Sequence, residues 1–145
     1  KQIITLDIHS SKALSYFKIK VENASSIPLF ANYVKSSMHL HRPLAVSPDV
    51  GGKQRVAEFS RILGIDSIIL EKSRDKYSGD VIIEDSKVDE VVAGRDIIIL
   101  DDIISTGSSI IKATEILRRK NSGKIYAMCS HALIEENNIH KIKNA

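Results

Sequence analysis

The chain has 145 residues, of which 43% are hydrophobic and 27% charged, and its formal net charge is +3. These totals are ordinary for one globular domain, and the interspersed charges predict a solvated surface and no nucleic-acid partner. No apolar run approaches the ~18–20 residues that cross a bilayer, so no membrane partner is expected either. The single cysteine, Cys129, excludes an intrachain disulfide, which fits a cytoplasmic location.

Short apolar runs rich in isoleucine and valine alternate along the chain with amphipathic segments, as strands alternate with helices. Strands are predicted at 3–6, 43–47, 67–72, 97–102 and 124–129, and helices at 27–35, 53–63, 110–120 and over the last twelve residues. Residues 14–21 are predicted to be an apolar connection, and residues 81–83 and 88–92 the arms of a small hairpin or flap. The alternation predicts an α/β fold with a parallel sheet flanked by helices on both faces.

The most informative stretch begins as a run of branched apolar residues, which predicts a buried strand ending in Asp101 and Asp102. A small polar loop leads from these carboxylates to a helix that opens near Ile110. The loop consists of Ser105, Thr106, Gly107, Ser108 and Ser109. The N–H groups and dipole of the first helical turn can hold a phosphate, and the carboxylates can accept hydrogen bonds from sugar hydroxyls. The same residues could be turn formers and a helix cap, but carboxylates beside a buried strand carry a desolvation cost unless a ligand, metal or partner uses them.

Three further polar groups follow predicted strands. Asp7 and His9 lie two residues apart after the first strand, where strand alternation places both side chains on one side. Lys72 and Arg74 have the same spacing near the end of the strand at 67–72. The strand at 43–47 runs into a turn whose glycines let backbone N–H groups approach a diphosphate closely. That turn consists of Asp49, Val50, Gly51 and Gly52.

Each of these groups also has an interpretation that needs no ligand. His9 could be a structural histidine, the glycine turn an ordinary Pro-Asp turn, and the two cations an exposed surface pair. However, the carboxyl ends of parallel strands meet at one edge of a sheet, which is where ligands bind in such folds. We therefore expect the groups to converge there. His131, at the end of the last strand, is predicted to be structural.

Motifs along nearly the whole chain resemble those of one enzyme family. The stretch DIIILDDIISTGSS resembles the phosphoribosyl diphosphate binding loop of type I phosphoribosyltransferases. The stretches LDIHSSKALSYF, SPDVGGKQRVAEF, ILEKSRD and SHAL narrow the resemblance to the ribose-phosphate diphosphokinase family, particularly its archaeal branch. They resemble, in that order, the family's DLH segment, diphosphate loop, catalytic Lys-x-Arg strand and THG-type segment.

The resemblance implies a reaction and a domain organisation. The anomeric hydroxyl of ribose 5-phosphate attacks the β-phosphorus of ATP, which gives phosphoribosyl diphosphate and AMP. Residues 1–22 are then expected to be the last strand and crossover of an amino-terminal domain that is absent here. Residues 23–145 are expected to be a ribose-phosphate-binding domain, truncated at its carboxyl end. A homo-oligomer is also expected.

The resemblance further implies a role for each matching residue. Lys72 and Arg74 are the expected catalytic residues, which neutralise the charge that shifts during transfer. The residues expected to bind ribose 5-phosphate are Arg74, Asp101, Asp102, Ser105, Thr106, Gly107, Ser108 and Ser109. The diphosphate is expected at Asp49, Val50, Gly51 and Gly52. His9 and Asp49 are expected to place Mg²⁺, the implied cofactor.

Two loop positions depart from the pattern of the family. Ser105 stands where many members have a carboxylate, and Ser108 adds a Cβ where the backbone must approach the phosphate. Both changes predict weakened binding of ribose 5-phosphate.

Two other functions stay open. One is a phosphoribosyltransferase that consumes phosphoribosyl diphosphate and does not need Lys72 or Arg74, and the other is a non-catalytic regulatory homologue.

Overall fold

The computed structural model describes residues 1–70, 73–74, 81–82 and 86–145. Its strands are β1 (Gln2–Leu6), β2 (Lys20–Ala24), β3 (Leu44–Ser47), β4 (Asp66–Ile69), β5 (Ser73–Arg74), β6 (Val81–Ile82), β7 (Ile97–Ile104) and β8 (Ile125–Ala132). Its helices are α1 (Ser11–Leu14), α2 (Ile27–Ser37), α3 (Lys53–Leu63), α4 (Ser86–Val92), α5 (Ser108–Arg119) and α6 (Glu136–Asn144). None of the helices in the described part of the chain is both long and apolar enough to cross a membrane.

Four parallel strands form the central sheet, in the order β4-β3-β7-β8. Residues 97–100 of β7 are completely buried, so both faces of this strand are covered. Ile97 and Ile99 pack in a cluster with residues of α5, whereas Ile98 and Leu100 pack with residues of α2 and α3. Successive side chains of a strand point to opposite faces, so α5 covers one face of the sheet and α2 with α3 the other. The predicted parallel sheet with helices on both faces is confirmed.

Strands β1 and β2 form a separate parallel pair, in which Gln2 lies opposite Lys20. Strand β2 was not predicted, because its sequence is mostly polar. The structure agrees with this weak signal, since Val21 is half-buried and the other residues of β2 are exposed. Asp7 follows β1 with a φ of +43°, so the backbone turns there. The predicted extended segment from Asp7 to His9 is therefore wrong. The two side chains make contacts in different places.

Asp7 anchors the β1–β2 pair to the central body. Its carboxylate accepts hydrogen bonds from the Ser26 backbone N–H, at 3.2 Å, and from the hydroxyls of Ser26 and Ser130. The His131 ring contributes to the same junction, because its Nε2 lies 2.9 Å from the Leu6 carbonyl oxygen. This contact agrees with a structural role for His131.

The region predicted to be a hairpin or flap has a different secondary structure in the described residues. Residues 88–92, predicted as a hairpin arm, belong to helix α4. Val88, Val91 and Val92 recur at helical spacing, and the complete burial of Val92 outweighs the strand preference of valine. Strand β6 does lie at the other predicted arm, but its antiparallel partner is β5.

Asp96 ties the amino-terminal ends of the central strands together. Its side chain is buried, and its carboxylate accepts hydrogen bonds of 2.9 Å from the backbone N–H groups of His41 and Lys124. The bond from His41 holds the pKa of Asp96 below its ordinary value, with Lys124 acting in the same direction and burial opposing both. This end of the sheet is opposite the edge that carries the candidate site.

Candidate functional site

The polar loop between β7 and α5 encloses a small cavity of about 90 Å³. Gly107 precedes the first residue of α5 with a φ of +76°, a conformation that glycine adopts without strain. The first N–H groups of a helix have no partner within the helix, so those of α5 can bind an anion. The Ser108 N–H makes only a long bond of 3.4 Å to the Thr106 hydroxyl. The hydroxyls of Thr106 and Ser108 lie 2.9 Å apart at the same place. The cavity is lined by Asp101, Ile103, Ile104, Ser105, Thr106, Gly107, Ser108, Ser109 and Ile110.

Asp101 and Asp102 lie within β7 and not after it, because the strand continues to Ile104 and stays paired with β8. The predicted end of the strand at Asp102 is therefore two residues too early. The two side chains make different contacts, although both approach the Arg55 guanidinium. Asp101 lines the loop cavity, whereas Asp102 forms the closer ion pair with Arg55 of α3.

Asp102 forms the centre of a charged cluster. Its side chain is only 5% exposed, and its Oδ2 lies 2.8 Å from an Arg55 guanidinium nitrogen and 2.9 Å from His9 Nδ1. The other carboxylate oxygen accepts the backbone N–H of Ile103 at 2.9 Å. Arg55 also approaches Asp101, at 3.6 Å. The cluster therefore joins the β1–α1 connection, the start of α3 and the acidic pair of β7.

The two carboxylates have different acidities. Burial, reinforced by the neighbouring Asp102, raises the pKa of Asp101 to about 6. Burial also acts to raise the pKa of Asp102, but the hydrogen bond from His9 and the charge of Arg55 outweigh it and hold that pKa below its ordinary value. The more exposed carboxylate of the pair is thus the one that gains a proton first as the pH falls.

The glycine turn brings α3 close to β3. Residues 50–52 form a 3₁₀ turn between Asp49 and α3, and the Ser47 hydroxyl donates to the Asp49 carbonyl at 2.7 Å. A Cβ on Gly52 would overlap the Ser47 hydroxyl and lie 3.2 Å from the Arg55 guanidinium. The absence of a side chain at residue 52 therefore makes room for the cation that binds the acidic pair.

Sequence reasoning missed Arg55. A signal was present, because Arg55 follows Gly52 by three residues and directly precedes Val56, which is buried against the sheet. An arginine in the first turn of that helix is close to the strand ends. A basic residue on an amphipathic helix is nevertheless usually part of the solvated face.

A second cavity, of about 420 Å³, adjoins the cluster on the side of the β1–β2 pair. His9, Gly51 and Arg55 line it together with polar residues of β2, α3 and their flanks. A larger cavity of about 620 Å³ lies elsewhere, between α2 and β8. Its walls contain no carboxylate, lysine or arginine, so the charged edge of the sheet is the stronger candidate.

Not every predicted site residue can be placed. The structure brings His9, the glycine turn, the acidic pair and the loop 105–109 to one edge of the sheet. Lys72 lies outside the described residues, and Arg74 is described only as a residue of β5. Among the described residues there is no group of three or more histidine, cysteine or acidic side chains that could hold a metal ion by themselves.

Comparisons with known proteins agree with this fold. The chain is 34% identical over 142 residues to a ribose-phosphate pyrophosphokinase of Wolinella succinogenes, covering 98% of the chain and 45% of the relative. It is 33% identical over 136 residues to a ribose-phosphate pyrophosphokinase of Methanopyrus kandleri, covering 93% of the chain and 45% of that relative. The chain thus spans about 45% of the length of these curated relatives. The bacterial and archaeal identities are so similar that they do not separate the two branches.

A solved structure and a family model match most of the chain. The crystal structure of phosphoribosylpyrophosphate synthetase from Mycobacterium smegmatis superposes with a TM-score of 0.78 at 21% identity, over 97% of this chain and 44% of that one. The family model described as phosphoribosyl transferase domain matches residues 18–142. The chain therefore belongs to the phosphoribosyl transferase domain family.

Proposed function

We propose that the full-length protein carrying this chain transfers the diphosphoryl group of ATP to the anomeric hydroxyl of ribose 5-phosphate. The products are phosphoribosyl diphosphate and AMP, and this chain supplies the ribose-phosphate half. The observation that carries the proposal is the acidic pair of β7, whose Asp101 lines the loop cavity while the next residue, Asp102, contacts Arg55 and His9. The names of the curated relatives support it.

The loop cavity suits the sugar phosphate. The free N–H groups at the start of α5 and the positive end of its dipole bind the 5-phosphate, assisted by the hydroxyls of residues 105–109. Asp101 lines the same cavity and accepts hydrogen bonds from ribose hydroxyls. Asp102 supports the site through its contacts with Arg55 and His9. The phosphate therefore lies at the helix terminus and the ribose along the strand edge.

The phosphates of the nucleotide are negatively charged, so the part of the site that binds them requires positive charge. Lys72 and Arg74 neutralise the phosphates as the diphosphoryl group moves, and the turn 49–52 contacts the transferred diphosphate. Positioning and electrostatic stabilisation supply most of the catalysis in such transfers, so no strong general base is needed.

Mg²⁺ is the cofactor that fits the donor set. Asp49 offers a carboxylate, and His9 offers its Nε2 because Nδ1 is engaged by Asp102. Mg²⁺ commonly binds through one or two protein ligands and the phosphates of a substrate, so the lack of a larger cluster among the described residues is compatible with it. When bound, the ion neutralises charge on the diphosphoryl group.

The domain organisation is part of the proposal. Residues 1–22 belong to an amino-terminal domain and its crossover, which is supported by the separate β1–β2 sheet and by a family match that starts at residue 18. Ile4 is 71% and Tyr16 74% exposed, which favours burial of this region against another domain or subunit. The protein acts as a homo-oligomer in the cytoplasm.

A phosphoribosyltransferase that consumes phosphoribosyl diphosphate is the second candidate. The fold favours it to a degree, since a purine phosphoribosyltransferase from Pyrococcus horikoshii superposes with a TM-score of 0.56 over 93% of the chain. That structure is only 14% identical and therefore supports the fold alone.

Chromatography of products from two reaction mixtures separates the candidates. One mixture holds the full-length protein with ribose 5-phosphate and Mg·ATP, and the other holds it with phosphoribosyl diphosphate and nucleobases. Formation of AMP in the first mixture supports the proposal. Nucleotide formation only in the second supports the alternative, and no product in either indicates a regulatory homologue.

A further inference from the structure

Arg55 occupies the junction between the two halves of the candidate site. It lies in the first turn of α3, three residues after Gly52, and its guanidinium bridges toward both carboxylates of β7. One nitrogen lies 2.8 Å from Asp102 and the other 3.6 Å from Asp101. The Arg55 side chain is only 18% exposed, so most of its surface contacts other protein atoms and not solvent.

The cluster needs a permanent cation. Asp102 is almost fully buried, and an ionised carboxylate in such a place is stable only when it is paired and hydrogen-bonded. An arginine is charged at every physiological pH, whereas a histidine is not. Arg55 is the arginine that contacts Asp102, and His9, the other partner, has a side chain that is 72% exposed. The guanidinium therefore fixes the carboxylate on which the His9 ring depends.

We infer that Arg55 is a positioning residue: it holds Asp102 in place and, through Asp102, orients the imidazole of His9 toward the nucleotide side of the site. This inference rests on the proposed function for its catalytic consequence, but not for its geometry. The carboxylate of Asp102 accepts from His9 Nδ1, which leaves Nε2 as the free nitrogen. A carboxylate that orients a histidine in this way governs how well the histidine contacts a metal ion. Arg55 itself does not line the loop cavity.

The kinetic test compares Arg55→Gln and Arg55→Lys with the wild-type full-length protein. Loss of an orienting partner typically lowers activity by about 10- to 100-fold, and we expect kcat of Arg55→Gln to fall within this range. The KM for ribose 5-phosphate should stay within about threefold, because Arg55 does not line the loop cavity and its contact with Asp101 is the longer of its two. Arg55→Lys keeps the charge and should recover part of kcat. Arg61→Gln is the matched control, since Arg61 is an exposed residue of the same helix.

A double-mutant cycle distinguishes positioning from direct substrate contact. If Arg55 acts through Asp102, adding Arg55→Gln to Asp102→Asn lowers kcat by less than about twofold more. A full additional loss in the double variant, or a rise in the KM for ribose 5-phosphate that accounts for the whole defect of Arg55→Gln, would overturn the inference.

A spectroscopic measurement decides the inference even if the protein forms no AMP. Long-range ¹H–¹⁵N NMR reports which ring nitrogen of His9 carries the proton. The wild-type protein should show the Nδ1–H tautomer, and Arg55→Gln should show a mixture of tautomers while keeping the wild-type backbone spectrum. An unchanged single tautomer in Arg55→Gln means that Arg55 does not orient His9. Absence of AMP from the wild-type protein counts against the proposed function alone.

Discussion

The carboxylates of Asp101 and Asp102 make different contacts, although the two residues are consecutive in β7 and both approach Arg55. Asp101 lines the loop cavity at the start of α5, whereas Asp102 forms an ion pair with Arg55 at 2.8 Å and a hydrogen bond with His9 at 2.9 Å. The alternation of side chains along a strand favours this division. Under the proposed function, Asp101 binds the sugar and Asp102 supports the site.

Replacing each carboxylate by its amide should therefore give different defects. Asp101→Asn should raise the KM for ribose 5-phosphate by about tenfold, since it weakens about one charge-assisted hydrogen bond. Asp102→Asn should lower kcat and also reduce the free energy of unfolding by about 2 kcal/mol, because it removes the buried partner of Arg55. Steady-state kinetics and urea denaturation measure the two effects. Equal KM defects with unchanged stability in both variants would contradict the division.

The raised pKa of Asp101 predicts how sugar-phosphate binding depends on pH. Burial and the neighbouring Asp102 raise this pKa to about 6, and only the ionised carboxylate is a full hydrogen-bond acceptor. The affinity for ribose 5-phosphate should therefore fall as the pH drops through about 6. The substrate phosphate titrates in the same range, with a pKa of about 6. Calorimetric titration of Asp101→Asn is the control, because its curve retains only the phosphate contribution. Superimposable pH curves for the two proteins would exclude the assigned role.

Asp101 should also affect the stability of the ligand-free protein. Its pKa is raised in the folded state, so its contribution to stability is present below the ordinary value of 3.8 and is lost as the pH rises through about 6. At pH 7 the ionised group therefore costs stability. Asp101→Asn should be more stable than the wild-type protein at that pH, by about 1 kcal/mol. The gain should vanish below pH 3.8. Urea denaturation at several pH values tests this, and a destabilised variant at pH 7 would contradict it.

Asp96 should stabilise the opposite end of the sheet. Asp96→Asn replaces an acceptor by a donor that faces a backbone N–H, which should reduce the free energy of unfolding by about 2 kcal/mol. The folded-state pKa of Asp96 is lowered, so its contribution is present above the ordinary value of 3.8 and is lost as the pH falls below it. Asp66→Asn is the control, since Asp66 is 72% exposed in its ion pair with Arg95, which keeps other acceptors, and should change stability by less than about 1 kcal/mol. Equal reductions of the free energy of unfolding in both variants would show that the buried hydrogen bonds of Asp96 stabilise the protein no more than the ion pair of Asp66 does.

Gly52 should be required for packing as well as for any contact with a diphosphate. Its φ of −86° and ψ of 4° are accessible to alanine, so the cost of Gly52→Ala is steric overlap with the Ser47 hydroxyl. We expect a loss of about 1–3 kcal/mol in the free energy of unfolding. Adding Ser47→Ala should recover part of it, because the overlapping hydroxyl is removed. Gly51→Ala is the matched control, since its Cβ would meet only the side chain of Asp49. Thermal unfolding of the three variants and the wild-type protein gives the comparison.

Local sequence patterns predicted the core of the fold well. Helix α3 has the predicted bounds 53–63, and Gly64 ends it with a φ of +69°. The apolar run of β7 was identified as a buried parallel strand because four consecutive apolar residues imply cover on both faces. The parallel sheet and the expected convergence of polar groups at one edge follow from general rules for such folds, whereas the order of the strands was not predicted.

The predictions from the sequence are wrong where tertiary contacts outweigh the local preference of residues for helix or strand. Residues 88–92 form part of α4 because burial of one face stabilises a helix over the strand preferred by valine. Strand β2 carries almost no apolar signal. Arg55 was missed because its contacts depend on how closely α3 approaches the sheet, and Gly52 permits the close approach to Ser47 of β3. The sequence pattern of a helix contains no such information.

The most direct test of the proposed reaction is a ³¹P NMR time course of the full-length protein with ribose 5-phosphate and Mg·ATP. The account predicts that AMP and phosphoribosyl diphosphate accumulate together, one of each per ATP consumed, without ADP. Lys72→Ala in the same protein should abolish this turnover. Accumulation of ADP with a sugar bisphosphate, or full activity of Lys72→Ala, would contradict diphosphoryl transfer by the proposed site.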